Sequence, residues 1–217
     1  MEEAPALAHL KKLVLERLMR YYQFVVEVAA GEPPQTVTSA QIAEALEIDP
    51  TQVRKDFAAI GIQGMGRIGF DSCDVCRAIR MALGFDHEYQ AVLIGVGHLG
   101  TALLAYPGFR KYGLHIVAAF DNHPEKIGQV IGGCMIRSTM LMKSFIRERK
   151  IRLAIITTPS AVAQEIADRV VSVGVHAIWN FAPTHLVVPE DVLVRHEHIS
   201  LGLAEITYHL KEETHAR

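Results

Sequence analysis

The sharpest chemical signal in the chain is Gly95-Val96-Gly97-His98-Leu99-Gly100, a G-x-G-x-x-G run. Glycines at these spacings can cradle phosphate. Gly95 permits a tight turn, Gly97 lets the backbone approach a pyrophosphate, and Gly100 lets a helix pack close to a strand. A helix starting here offers unpaired N–H groups and a partial positive charge to an anion. Asp121 falls 21 residues beyond Gly100. An acid at that distance can accept both hydroxyls of an adenosine ribose, and it would repel a 2′-phosphate, which favours NAD over NADP. The same glycines can also serve packing alone in a strand–helix–strand unit.

The elements needed to hold these residues are legible around them. The apolar run Ala91–Ile94 enters the glycine turn, a helix-like segment follows, and a second apolar run, His115–Phe120, ends at Asp121. Apolar segments then alternate in character over 91–94, 99–105, 115–120, 139–149, 153–157, 160–173 and 176–179. That alternation predicts a parallel sheet with helices on both faces. Leu201, Leu203, Ile206, Tyr208 and Leu210 predict a terminal amphipathic helix over 200–211.

A second chemistry is written in the first 85 residues. Leu7, Leu10, Val14, Leu18, Tyr21 and Val25 recur at helical spacing, and Gly31-Glu32-Pro33-Pro34 ends that helix. Thr38 with Gln41 forms a capping box, and Asp49-Pro50 is a second helix start. Helix 39–46, a turn at Glu47–Asp49 and helix 50–60 make a helix-turn-helix. Val53, Phe57 and Ile60 share one face of its second helix. Thr51, Gln52, Arg54 and Lys55 stand near that helix's N-terminal end, which in this motif reaches base edges and phosphates. Gly61, Gly64, Gly66 and Gly69 predict a tight hairpin or wing, whose Arg67 can enter a minor groove. Residues 1–85 carry nine Lys and Arg against eleven Asp and Glu, so any positive face is local. A helical hairpin that only dimerises is the alternative.

Composition bounds the rest. The chain has 217 residues, a net charge of −2 and three cysteines. Bulk attraction to nucleic acid or anionic membrane is not expected. No apolar run approaches the ~18 residues that span a bilayer, and the acidic N-terminus lacks a secretion layout. These features predict a cytoplasmic protein with free thiols. Cys73-Asp74-Val75-Cys76 reads as the start of helix 74–83, with Cys76 packing on Ile79 and Leu83, and no cysteine or histidine pair nearby has zinc spacing. His98 reads as an outward side chain. His185 is the histidine that would serve as a general acid in a dehydrogenase, the alternative function. No carboxylate partner or substrate arginine accompanies it, so no catalytic residue is expected.

The stretches RLMRYYQFV, SAQIAEALEIDPTQVRKDF, GVGHLGTALLAYPGF, AAFDNHPEKIG, AVAQEIADRV and WNFAPTHLVVP together resemble the Rex family of bacterial redox-sensing repressors, over nearly the whole chain. The resemblance implies a winged helix-turn-helix domain over 1–85, a Rossmann NAD(H)-binding domain over 86–199, and a terminal helix over 200–217 swapped onto a partner. It implies a homodimer that binds operator DNA and releases it on NADH, with NADH and NAD⁺ as effectors. Carried over by residue, the cofactor would meet Gly95–Gly100, Asp121, Lys126, Thr158, Pro159, Asn180, Phe181, Ala182 and Pro183. Tyr106 matches a tyrosine of the ligand-linked switch. There are departures: Ala58 and Ala59 replace part of the family's Ser-Tyr-Phe, Met65 takes the place of one of a basic pair, and His198 stands where an aspartate is usual. They imply a divergent member with altered operator or redox response.

Overall fold

The computed structural model describes residues 10–31, 35–66 and 68–215. The chain divides into two units, Met1–His87 and Glu88–Arg217.

In the first unit, helix α1 (Lys12–Ala29) buries Leu18, Tyr21 and Val25, one face at three- and four-residue steps. Leu7, expected to extend that face, lies outside the described residues. Strand β1 (Thr36–Val37) leads into α2 (Ser39–Leu46). Thr38 accepts the Gln41 N–H while the Gln41 side chain accepts the Thr38 N–H, so the capping box forms. Glu47 adopts a left-handed conformation that turns the chain. Asp49 then caps α3 (Pro50–Ala59), with Pro50 at its first position. Val53 and Phe57 are buried and Ile60 packs against the same core. The edge of Tyr21 meets Phe57, centroids 5.7 Å apart, and Phe57 meets Phe70 at 5.0 Å. Strand β2 (Phe70–Asp71) pairs antiparallel with β1, and Met65 and Gly69 bridge the turn before it. A Cβ at Gly69, φ +110°, would stand 2.7 Å from the Val37 carbonyl oxygen, so this turn needs glycine. Helix α4 (Ser72–Ala82) starts at Asp71, which accepts the Asp74 N–H at 2.9 Å. Cys73 is exposed and Cys76 packs against the core with Ile79. This is a winged helix-turn-helix.

The second unit opens with β3 (Tyr89–Ile94), α5 (His98–Ala105), α6 (Gly108–Lys111) and β4 (Leu114–Asp121). Then come β5 (Val130–Ile131), β6 (Cys134–Ser138), a 3₁₀ turn Thr139–Leu141, α7 (Met142–Arg149), β7 (Leu153–Ile156), α8 (Ser160–Val171), β8 (Ala177–Asn180), β9 (Leu193–His196) and α9 (Ile199–His215). The sheet order is β5-β6-β4-β3-β7-β8-β9, with every neighbouring pair parallel except β5 and β6. The six parallel strands run 3-2-1-4-5-6, the doubly wound Rossmann order. Strand β3 is its spine: Val92 and Ile94 enter the core on one face, Ala91 and Leu93 the core on the other. That is the two-residue alternation of a strand covered on both sides.

Three strands of the large sheet, β5, β6 and β9, lie outside the segments expected from the sequence. Residues 134–138 sit behind Gly132-Gly133 and carry only Cys134 and Ile136 inward. Residues 193–196 form the sheet edge, where exposed and half-buried positions alternate. The segment 139–149, expected as one helix, begins as the 3₁₀ turn.

Candidate functional site

The order of strands reverses between β3 and β7, and the cleft opens there, at the C-terminal ends of the strands, where such sheets bind ligands. It encloses about 700 Å³ and is lined in part by Gly95, Gly97, His98, Leu99, Asp121, Lys126, Thr158, Pro159, Phe181 and Pro183. The glycine turn has three distinct geometries. Gly95 has φ +97°, and a Cβ there would stand 2.9 Å from the Thr157 backbone. A Cβ on Gly97 would meet nothing within 4 Å, because it would point into open space. A Cβ on Gly100 would collide with the Gly95 carbonyl oxygen, so this glycine keeps α5 against the strand end. The Thr157 hydroxyl donates to the Gly95 carbonyl at 2.6 Å and fixes the turn to β7. The first-turn N–H groups of α5 lack intrahelical acceptors and border the cleft.

Asp121 closes β4 with only 5 % of its side chain exposed. Its Oδ2 accepts the Val96 N–H at 2.8 Å and the Lys126 ammonium at 3.3 Å. Its Oδ1 accepts the His123 N–H at 2.9 Å and lies 2.7 Å from His123 Nδ1. Burial alone would raise this carboxyl's pKa, but the bonds from His123, Val96 and Lys126 outweigh it and hold the pKa at about 2. The group is an anion at the cleft wall. The residues proposed from sequence therefore fall in two sets. Those above line the cleft. Val96, Gly100, Asn180 and Ala182 are buried behind it and support it.

The far wall hangs on Asn180, which is fully buried. Its Oδ1 accepts the Ala182 N–H at 3.0 Å, and its Nδ2 donates to the Ala182 and Thr184 carbonyls. Nδ2 also lies 3.1 Å from His196 Nδ1. His196 stacks between His185 and His198, at 4.8 and 6.1 Å. Tyr106 belongs to a different cluster: it meets Phe109 edge-on, Phe109 meets Trp179, and Trp179 meets Phe181. Among the described residues, no group of three His, Cys, Asp or Glu is arranged to hold a metal ion, and no helix is long and apolar enough to cross a membrane.

In the first unit, Thr51, Arg54 and Lys55 are exposed on α3. The Arg54 guanidinium donates to the hydroxyls of Ser39 at 3.3 Å and Thr51 at 3.1 Å, so its charge is held over the helix start. Gln52 is half-buried and donates to Asp56 at 2.9 Å. Arg67 lies outside the described residues. Sequence reasoning missed the group that sets this helix. Asp56, 3 % exposed, accepts both Arg17 Nε at 2.7 Å and Arg17 Nη2 at 2.8 Å, together with the Tyr21 hydroxyl at 2.9 Å. Burial opposes its ionisation, but these bonds win and its pKa is lowered. The signal was present: an acid on the Val53–Phe57 face of an otherwise basic helix needs a buried cation.

Two family models match the chain. One, described as a putative DNA-binding protein N-terminus, covers residues 12–58, and the other, a CoA binding domain, covers 86–184. The redox-sensing transcriptional repressor Rex of Desulfitobacterium hafniense is 39 % identical over 175 residues, 81 % of this chain and 83 % of that protein. The chain belongs to the Rex family. Its fold agrees over its length with the crystal structures of a Rex-family repressor, RSP. RSP in complex with β-NAD⁺ and operator DNA gives a TM-score of 0.88 at 31 % identity, covering 95 % of each chain. RSP in complex with β-NADH gives 0.87 at 30 % identity, covering 95 % of this chain and 97 % of RSP.

Proposed function

We propose that this chain is a repressor that binds operator DNA through α3 and the wing and is released from it by NADH, so that it reports the NADH/NAD⁺ ratio. The observation that carries the reading is the joining of two complete sites in one Rex-family chain. One is a Rossmann cleft with a phosphate turn and an ionised Asp121. The other is a capped helix-turn-helix with Arg54 and Lys55 exposed. The capture of RSP with both nucleotide forms, and with operator DNA, supports it.

Gly95, Gly97 and the α5 N-terminus would hold the pyrophosphate, with Val96, His98, Leu99 and Gly100 shaping that turn. Asp121 would take the adenosine ribose with Lys126 beside it. Thr158, Pro159 and the segment Asn180–Pro183 would enclose the nicotinamide end. The nucleotide acts as an effector and no bond in it changes. His185 stacks on His196, and the curated relatives that the chain resembles are named as repressors. Coupling follows from linkage: a nucleotide that favours one arrangement and DNA that favours another each weaken the other's binding by the same factor.

The functional form is a homodimer in the cytoplasm, with residues 1–85 binding DNA, 86–199 binding nucleotide, and 200–217 exchanged between copies. Support for the exchange is the apolar face of α9, where Leu201, Leu203, Ile206, Tyr208 and Leu210 are 56–63 % exposed. Tyr106 and His198 would serve the switch. The deciding measurement is operator affinity against NADH, NAD⁺ and salt. NADH should weaken binding and NAD⁺ should not. Turnover of NADH with a panel of small carbonyls would instead reveal a dehydrogenase.

A further inference from the structure

We propose that His196 positions the Asn180–Pro183 wall of the cleft by acting through the Asn180 amide, and that it does so only as a neutral ring. The inference rests on reading that cleft as a nucleotide site. Asn180 Oδ1 accepts the Ala182 N–H, so the opposite amide orientation would aim an NH₂ group at an N–H donor. Nδ2 is therefore the atom facing His196, directly across the β8–β9 ladder, where Asn180 and His196 are paired. Nδ2 has two hydrogens, shared among the Ala182 and Thr184 carbonyls and His196, and no lone pair to offer, so at 3.1 Å it tolerates a facing acceptor and not a facing N–H. His196 Nδ1 must then carry a lone pair, with the ring proton on Nε2.

A proton on Nδ1 would set donor against donor. Asn180 is fully buried and cannot turn to water, so the segment it organises must shift. That segment holds Phe181 and Pro183, which line the cleft. The surroundings of His196 oppose the proton as well. Its pKa is lowered, first by burial and then by the imidazoles of His185 and His198. Among the described residues, Arg195 and Glu197 flank His196 in the sequence, and Glu197 is felt by His198. Glu197 accepts Trp179 Nε1 and Arg195 Nε, both at 3.0 Å, so its charge is already committed. Burial raises the Glu197 carboxyl, but those bonds prevail and its pKa is lowered, so it stays ionised while histidines titrate.

The test uses the full-length protein and two readouts. The first is NADH affinity followed by fluorescence from about pH 7.5 to about pH 5.5, across the histidine range. The second needs no nucleotide: the chain has one tryptophan, Trp179, which neighbours Asn180 and meets Phe181 at 5.0 Å, so its emission reports the wall. His196→Asn supplies an Oδ1 acceptor that cannot protonate in this range. The parent should lose affinity about tenfold on acidification, up to the one-decade-per-unit limit of a single proton, and its Trp179 emission should pass through a transition. Both should flatten in His196→Asn, while His185→Ala should move the Trp179 transition to higher pH. A parent without that transition, or one matched by His196→Asn, overturns the proposal. A transition lost in His196→Asn supports it even if NADH binds at no pH, an outcome that would sink the nucleotide reading alone.

Discussion

Each unit of the molecule buries one aspartate in a cage of donors, and the two cages do different things. Asp56 is held by Arg17 and Tyr21 from α1 and by Gln52 from its own helix. Its two partners on α1 lie 35 and 39 residues away in the sequence. It is a fastener that sets α3 against α1. Asp121 is held by His123 and Lys126, just beyond its own strand, and by Val96 from the glycine turn 25 residues earlier, and it lines a cleft. His123 stays 58 % exposed. Burial of an acid therefore does not mark a site. What separates the two is that Asp56 ties two helices together, whereas Asp121 borders a cavity with His123 and Lys126 beside it.

Substitutions can break or sharpen that contrast. The largest effect belongs to the fastener. Asp56→Ala leaves Arg17 without its partner in a part-buried position, and urea unfolding should show a loss of about 3 to 5 kcal/mol, with operator binding lost and NADH affinity kept wherever the second unit stays folded. Asp121→Ala should cost less in stability but act on the ligand. A carboxyl held at about pKa 2 against an ordinary value near 3.8 contributes roughly 2 kcal/mol at neutral pH. Because the folded pKa is the lower one, that contribution is full above the unfolded value and is lost as pH falls from about 5 towards 2. Acid unfolding should therefore steepen in the parent relative to Asp121→Asn, and NADH affinity should drop in both variants. Equal NADH affinity in parent and variants would remove Asp121 from the site.

A smaller effect is expected on α3 itself. Arg54→Ala with Lys55→Ala should lower the slope of log operator affinity against log salt by about two for each protomer, so by about four for the dimer if both side chains meet phosphates, with NADH affinity unchanged. An unchanged slope would mean that α3 does not face the DNA backbone. The smallest is His98→Ala. The side chain is exposed at the cleft mouth, and chemical denaturation should move by no more than about 0.5 kcal/mol.

What the sequence made legible was local. The capping box at Thr38 and Gln41, the Asp49-Pro50 helix start and the glycine turn each act within a few residues, and each formed. Arg17 and Asp56 are 39 residues apart, so nothing in the local pattern announces their pairing. The stack of His185, His196 and His198 is equally hidden, because it exists only through the register that sets Asn180 beside His196. Strand β9 was missed because an edge strand covered on one side, four residues long, carries too little apolar signal. Arg67, the expected arginine of the wing, lies outside the described residues and is tested by operator binding alone.

The two ends of the large sheet have a consequence for self-association. An open edge is a template on which another chain can add a strand and begin an aggregate. One end here is the two-residue antiparallel strand Val130–Ile131, too short to guide a neighbour into register. The other is Leu193–His196, four residues long, with Arg195 exposed along it and bonded to Glu197. Both borders are brief, and one is charged. Growth by edge-to-edge addition is discouraged at each, so copies that meet are steered to join elsewhere than through backbone ladders.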